Sequence, residues 1–498
     1  MKTQKISIKT NFLLNLARVL STALITIFTM PYINRVLGAE YVGKIEYVFI
    51  IIYYFILFSA LGIPIYGIRE VSKCRDDPKK LYMLVLELMI ILLITTIISY
   101  LIIFGVLIYI PFFIPYKTLI FILCGMIFLN SIGAEWYFQG LENQKFITIR
   151  NLIIKIIVFI LLFLLIKKQS DYEKYAFLLV VLWYGANIVG FIFVGKKIYY
   201  NRHLISLKEV NLKRHYKPVL TVFITTVSLS IYLQLANFFI GTIAGDKYVG
   251  YYTTANALIR NVITFISVIG SVMLPRLSYL YVNDKIKYDE YLKKTFHFMM
   301  IMAVPCTVYF FIFSQNIILL MGGKQFLEAT LTMKILSPLC VVVSFAYFFG
   351  LLVLYPQGLE RIYTKATVVS AFFSIIAYFF VIKKFQHNGA AIIVVVSEFL
   401  SIFYMAYYIV KNKIIVNYLD VDFMKILFIN IFIGIIIYIL NDFLIPQNLV
   451  TWAILTAAFG LLYGILLIIL KEKNTLEIYY QICDKLNKIK IKNESHHK

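Results

Sequence analysis

The stretch LYMLVLELMIILLITTIISYLIIFGVLIY, residues 81–109, holds one charged residue, Glu87. An α-helix rises 1.5 Å per residue, so about 20 apolar residues cross roughly 30 Å of hydrocarbon. Lipid offers no partner to open backbone groups, which leaves helices and closed barrels as the only spanning structures. The run is continuous rather than alternating, so it reads as a helix and not as a barrel strand. Working outward, comparable runs predict spans at 10–31, 42–66, 81–109, 118–138, 149–166, 175–195, 218–244, 250–274, 292–313, 332–355, 360–382, 389–410, 423–443 and 449–470. The expected fold is an all-α, polytopic membrane protein of about fourteen transmembrane helices. Composition agrees: 61% of residues are hydrophobic and 15% charged, against about 45–50% and about 25% in a soluble domain.

Lysine and arginine orient the spans. With the N-terminus in the cytoplasm, 34 of the 48 fall in cytoplasmic segments and 11 in the opposite loops. That asymmetry puts both termini inside. The net charge of +23 then reads as topology and as contact with the phospholipid bilayer, not as nucleic-acid binding. The first apolar run follows Lys2, Lys5 and Lys9 as in a signal peptide. It lacks a small-residue cleavage site, so it is expected to stay as the first span. The opposite loops are too short for an extracytoplasmic catalytic domain.

The chain repeats itself. Gly38-Ala39-Glu40-Tyr41-Val42-Gly43 recurs as Gly245-Asp246-Lys247-Tyr248-Val249-Gly250, and Arg69 recurs as Arg276, both at an offset of 207. Tyr137-x-Gln139-Gly140-Leu141-Glu142 recurs as Tyr355-x-Gln357-Gly358-Leu359-Glu360 at an offset of 218, with the extra residues absorbed by the 314–331 loop. Six spans per repeat means a parallel duplication, the layout of a two-bundle transporter with alternating access. The expected organisation is a six-helix lobe over 1–195, a basic cytoplasmic linker over 196–217, a second lobe over 218–410, and 411–498 with two further helices and a basic tail. The motifs also have plain structural readings. Gly43 and Gly250 would permit tight loop–helix junctions, and Glu142 and Glu360 would open helices, where a carboxylate suits the dipole.

Charges inside a span usually face water or a partner. Asn256, Arg260, Thr264, Ser267 and Ser271 share one face of the eighth span, and Asn11, Asn15, Arg18 and Thr22 one face of the first. Thr221, Thr225, Ser228 and Tyr232 do the same in the seventh. Together they outline a polar, cationic lumen, with Ser, Thr and Asn packing as the plainer alternative. A guanidinium binds two phosphate oxygens at once and stays charged, so Arg18, Arg260, Asn15, Asn256 and Thr225 are candidate contacts for a phosphorylated substrate. Arg69, Arg276 and Lys155 are candidate phosphate contacts at the cytoplasmic mouth, although Lys155 could instead snorkel to the interface. Glu398, near the centre of the twelfth span, is a candidate for ion coupling or the counter-ion of an arginine. Glu87 and Glu135 read as interfacial.

The five cysteines are scattered without a CxxC, and the histidines show no ligand spacing. Neither a disulfide nor a metal site is expected. His203, His215 and His387 read as loop residues, and His297 as solvated or capping. There is no P-loop, G-x-S-x-G or H-E-x-x-H, so neither a cofactor nor catalysis is expected.

Asn15-x-x-Arg18 followed by Pro31-Tyr32-x-x-Arg35-x-Leu37-Gly38-x-x-x-x-Gly43 resembles the Wzx-type polysaccharide repeat-unit flippases of the multidrug, oligosaccharidyl-lipid and polysaccharide exporter superfamily. Gln139-Gly140-Leu141-Glu142, Leu274-Pro275-Arg276-Leu277-Ser278 and Gly323-Lys324-x-Phe326 carry the same resemblance. It implies two six-helix lobes in a MATE-like V plus two extra helices, in a bacterial inner membrane. It implies flipping of an undecaprenyl-pyrophosphate-linked O-antigen or capsule repeat unit, with Arg18 and Arg260 at cationic lumen positions. A polysaccharide polymerase and chain-length machinery are implied partners. A lipid II flippase and a MATE-like cation exporter are the alternatives within the superfamily; the exporter would call for acidic lumen residues. A membrane polymerase or glycosyltransferase is the alternative outside it.

Overall fold

A computed structural model of the chain describes residues 8–414, 418–443 and 449–476. Within them the side chains of 8–20 and 22–24, and of scattered positions such as 225, 228, 229 and 231–233, are outside the described residues. Eleven helices among the described residues are long and apolar enough to cross a membrane. The element order is α1 Ile8–Ala60, α2 Ile63–Cys74, α3 Pro78–Gly105, α4 Lys117–Leu123, α5 Gly125–Ile132, α6 Glu135–Gly140, α7 Gln144–Leu165, α8 Tyr172–Val180, α9 Ala186–Tyr200 and α10 Lys213–Ile243. It continues with α11 Asp246–Asn283, α12 Lys285–Ile312, α13 Ser314–Gly322, α14 Ala329–Leu336, α15 Leu339–Tyr347, α16 Glu360–Lys411, α17 Val421–Phe443 and α18 Leu449–Ile469.

Two of the eleven carry a pair of expected spans each. The backbone of α1 leaves helical geometry at Gly38 (φ 80°, ψ 168°), between the first and second spans. That of α16 does so at Gln386 (φ 45°, ψ −127°), between the eleventh and twelfth. The expected seventh span is α10. The chain is thus a polytopic, all-α membrane protein. Other spans are assembled from short helices: α4, α5 and α6 make the fourth, and α14, α15 and the π-helical Phe348–Leu354 the tenth.

By internal packing the chain divides into two compact units, Met1–Thr253 with Met321–Gln325, and Thr254–Leu320 with Phe326–Lys498. The first is built around two apolar cores. One gathers Ile33, Val48 and Ile52 of α1 with Leu123, Ile127, Val158 and Leu179. The other gathers Tyr66, Val71, Val85, Leu88, Trp136 and Tyr137. Helix faces away from these cores remain apolar: Leu101 on α3 and Leu164 on α7 are 66% and 63% exposed, as surfaces that meet acyl chains should be. Buried hydroxyls bridge helices, Thr96 with Ser131 at 2.6 Å and Thr95 with the Ser59 carbonyl at 2.6 Å, the small-residue contacts that join membrane helices.

The duplication is visible in local structure. Asp77 caps α3 by accepting from the Lys80 N–H, and Asp284 caps α12 by accepting from the Lys287 N–H. Each aspartate also pairs with that same lysine, at 3.1 and 2.9 Å. Both residues of the second pair stand at the offset of 207. Gly38 and Gly245 take left-handed φ values of 80° and 105°, which side chains disfavour. They are the junction glycines. Gly43 and Gly250, expected at junctions, lie inside α1 and α11. Glu360 opens α16 as expected. Glu142 instead sits before α7 at φ 59°, Asn143 makes the cap, and the Glu142 carboxylate pairs with Arg75 at 2.9 Å.

Candidate functional site

α11 runs for 38 residues and carries the charge that is hardest to place in a bilayer. Arg260 is half-buried, and among the described residues its guanidinium has neither an ion-pair nor a hydrogen-bond partner. A charge at mid-membrane costs about 2.5–3.5 kcal/mol on insertion scales unless water or a partner meets it. One turn earlier, Asn256 Oδ1 is buried without a hydrogen-bond partner, and so is Nδ2 of the adjacent Asn261. Most buried polar atoms in native proteins are paired, so two such atoms within two turns of a half-buried guanidinium mark a place suited to polar contact. The hydroxyls of the stripe are spent differently. Thr264 donates to the Arg260 carbonyl at 2.8 Å, Ser267 to Ile263 at 2.9 Å and Ser271 to Val268 at 2.8 Å. Such back-bonding satisfies the hydroxyl on its own helix. Of the stripe, Asn256 and Arg260 are therefore the members left unsatisfied, and Asn261, which spacing had not singled out, adds an unpartnered amide on a neighbouring face.

The other candidates take varied places. Arg18 and Asn15 lie on α1 and Thr225 on α10, with side chains outside the described residues. Lys155 does not snorkel: it is 9% exposed on α7 and donates to Ser21 Oγ of α1 at 3.2 Å. Glu398 is buried in α16, engaged rather than free. Arg69 is exposed, pairs with Glu70 at 2.8 Å and lies over the Tyr66 ring at 5.3 Å. Arg276 is exposed over the Tyr291 ring at 5.5 Å.

Three buried charge clusters have no counterpart in the sequence reading. Glu87 is 1% exposed on α3. It pairs with Arg214, accepts from His215 Nε2 at 2.9 Å and accepts from the Asn211 N–H at 2.8 Å. His215 is not a loop residue but the third of α10, 2% exposed, with Nδ1 on the Tyr66 hydroxyl at 2.7 Å. In the second unit His297, also 2% exposed, meets Asp420 at 2.8 Å through Nε2, and Lys293 meets the same carboxylate at 2.7 Å. It is neither solvated nor a cap. His387, read as a loop residue, follows the break at Gln386 between the two helices of α16 and is buried there. Arg150, counted among the loop charges, is buried on α7. It donates to the Ala186 carbonyl at 3.3 Å, to Asn187 at 3.5 Å and to Glu135 at 3.4 Å, and lies over the Phe138 and Phe146 rings. Glu135, part-exposed, is thus the counter-ion of Arg150. A cavity of about 420 Å³ opens beside Glu87, lined among others by Lys73, Lys79, Lys80 and Glu209. Its cations are paired, Lys73 with Glu70 at 3.0 Å and Lys79 with Glu209 at 2.9 Å. No group of three or more His, Cys, Asp or Glu among the described residues could hold a metal ion.

Comparison with known proteins places this architecture. A protein of Escherichia coli (strain K12) named for O-antigen transport is 22% identical over 416 residues, covering 84% of this chain and all of that protein. The capsular polysaccharide biosynthesis protein CapF of Staphylococcus aureus is 24% identical over 251 residues, covering 48% of this chain and 58% of that one. Among solved structures, the lipid II flippase MurJ in an inward closed conformation shares the fold. Its TM-score is 0.67 at 16% identity, over 92% of this chain and 98% of that one. An inward-facing multidrug resistance MATE family transporter matches with a TM-score of 0.58 at 14% identity, over 83% and 97%. The family described as polysaccharide biosynthesis protein matches residues 8–281. With more than half of the sequence inside that match, the chain belongs to the polysaccharide biosynthesis protein family.

Proposed function

We propose that the protein flips lipid-linked oligosaccharide repeat units from the cytoplasmic to the outer leaflet of the bacterial inner membrane, for assembly of a surface polysaccharide such as O-antigen or capsule. It does so by alternating access, with both termini cytoplasmic. The observation that carries this reading is Arg260: a half-buried guanidinium on a membrane-spanning helix, without a protein partner among the described residues, next to the unpartnered amide atoms of Asn256 and Asn261. A fork of fixed charge suits a pyrophosphate, and amides suit sugar hydroxyls. In this reading undecaprenyl pyrophosphate carries the glycan, Arg260 and Arg18 bind the pyrophosphate, and Asn15, Asn256 and Thr225 contact the polar substrate. The prenyl chain stays in lipid. Lys155, Arg69 and Arg276 serve as further phosphate contacts, and Glu398 is the candidate for ion coupling. The two-lobe division and the hand-over to a polymerase and its chain-length machinery belong to the same proposal.

The similarity in name to an O-antigen transporter and in fold to a lipid II flippase supports translocation over chemistry. Lipid II is the second substrate reading, favoured by that fold. Deleting the gene and identifying the glycan lipid that accumulates tests both. Build-up of a repeat-unit lipid with loss of surface polysaccharide is expected. Build-up of lipid II selects the second reading, and drug sensitivity with normal polysaccharide contradicts both.

A further inference from the structure

The repeated glycine motif finds no role in substrate binding, yet its two copies meet. A Cβ added to Gly43 would stand 1.8 Å from the Asp246 carbonyl oxygen and 2.6 Å from the Gly250 nitrogen. A Cβ added to Gly250 would stand 2.1 Å from the Ala39 carbonyl oxygen. Ala39 and Asp246 are the same position of the repeat, 207 residues apart, and so are Gly43 and Gly250. The contact is therefore reciprocal: each copy's closing glycine rests on the backbone of the other copy's second residue. This is the pattern of an isologous, two-fold interface, made here inside one chain and inside one compact unit. A third glycine extends it, since a Cβ on Gly241 would lie 2.0 Å from the Tyr47 ring.

We propose that this contact is a gate seat: it closes the translocation path on the side opposite the basic linker, and it parts and re-forms in each transport cycle. The proposal rests on the transporter reading above. At Gly43 and Gly250 backbone lies on backbone, and the Tyr47 ring, packed against Phe238 and Tyr116, borders the contact. Polar contacts flank it. Tyr47 shares a hydrogen bond with Thr242 at 2.9 Å, and Tyr116 donates to Asp246 at 2.9 Å. Both are groups that water can serve once the seat opens. Each copy begins with a left-handed glycine, Gly38 or Gly245, a position that absorbs backbone rotation cheaply. In a duplicated transporter the two repeats are the parts that move, so a contact between equivalent residues of the two is one that the cycle changes.

The test uses full-length protein in cells, with the five native cysteines replaced by serine and export retained. Cysteines at Tyr116 and Asp246 are joined by a reducible bifunctional methanethiosulfonate. Export is expected to stop when they are joined and to recover on reduction. Undiminished export by the joined protein would overturn the gate. Separately, a reporter cysteine at Asn256 is labelled from outside with a membrane-impermeant maleimide. Gly43→Ala and Gly250→Ala, which cannot close the seat, are expected to speed that labelling, and the tether to suppress it. Labelling unaffected by either overturns the gate. This arm needs no substrate, so it separates failure of the gate from failure of the flippase reading. The tether arm keeps the gate falsifiable where a glycine variant fails to accumulate.

Discussion

His297 and Asp420, 2.8 Å apart, repeat in the second unit the pairing that His215 and Glu87 make in the first at 2.9 Å, with the charges exchanged. In the first unit the acid is on α3 and the bases open α10. In the second the bases, His297 and Lys293, are on α12 and the acid directly precedes α17. α3 and α12 are repeat equivalents, as their Asp77 and Asp284 caps attest. α10 and α17 are the helices that follow six expected spans. Each unit thus fastens the helix that follows a repeat to the third span of that repeat, by an acid–base cluster containing a histidine.

Removing the acid from the first cluster leaves His215, Arg214 and the Asn211 N–H without their acceptor. Taking one partner from a buried pair costs about 3–5 kcal/mol, and the partial exposure of Arg214 moves the expected loss for Glu87→Ala to the lower end. The readout is the midpoint of thermal unfolding in detergent. His215→Ala is expected to lose less, because Arg214 keeps the carboxylate paired.

The second cluster carries a pH signature. Burial pushes the Asp420 carboxyl up, but hydrogen bonds from Lys293, the Phe423 N–H and His297 outweigh it and hold the group well below the usual carboxylate range. A depressed carboxylate contributes stability that is complete above the unfolded-state value of about 4 and is lost as pH falls through the folded-state value. The stability difference between wild type and Asp420→Asn is therefore expected to persist down to about pH 5 and to shrink only in stronger acid. A difference that vanishes by about pH 6, where carboxylates remain ionised, would contradict this arrangement.

Arg150 depends on a glycine for its room. A Cβ on Gly190 would lie 2.2 Å from the guanidinium and 2.8 Å from the Gly133 carbonyl oxygen. Gly190→Ala is expected to displace Arg150 from Glu135 and Asn187 at a cost of about 1–3 kcal/mol, the usual range for overpacking. Arg150→Lys, which cannot reach several acceptors with one planar fork, is expected to lower the unfolding midpoint as well. Thermal unfolding of the purified protein checks both.

The spans were legible because hydrocarbon imposes one rule on every one of them: about 20 apolar residues without a break. The run over 81–109 could hardly be anything else, and a glycine motif marked the turn at Gly38. The charge clusters were not legible. Glu87 finds its partners 127 and 128 residues away, and in the sequence Arg214, Arg150 and His215 look like ordinary loop cations and a loop histidine. Lys155 could have snorkelled by length alone; only its facing helix shows that it turns inward to Ser21. Of the polar stripe on α11, periodicity supplied the face but not which members were already satisfied, since Thr264 and Ser267 bond back to their own helix. Arg18, Asn15 and Thr225 rest on their sequence positions.

The most direct measurement is the level of lipid-linked repeat units and of surface polysaccharide in cells whose only copy of the protein carries Arg260→Ala, with membrane insertion verified alongside. The variant is expected to insert normally, repeat-unit lipid to accumulate and surface polysaccharide to fall, with Arg260→Lys restoring part of the loss because charge is kept and the bidentate fork is not. Wild-type polysaccharide from a normally inserted Arg260→Ala protein would contradict this expectation.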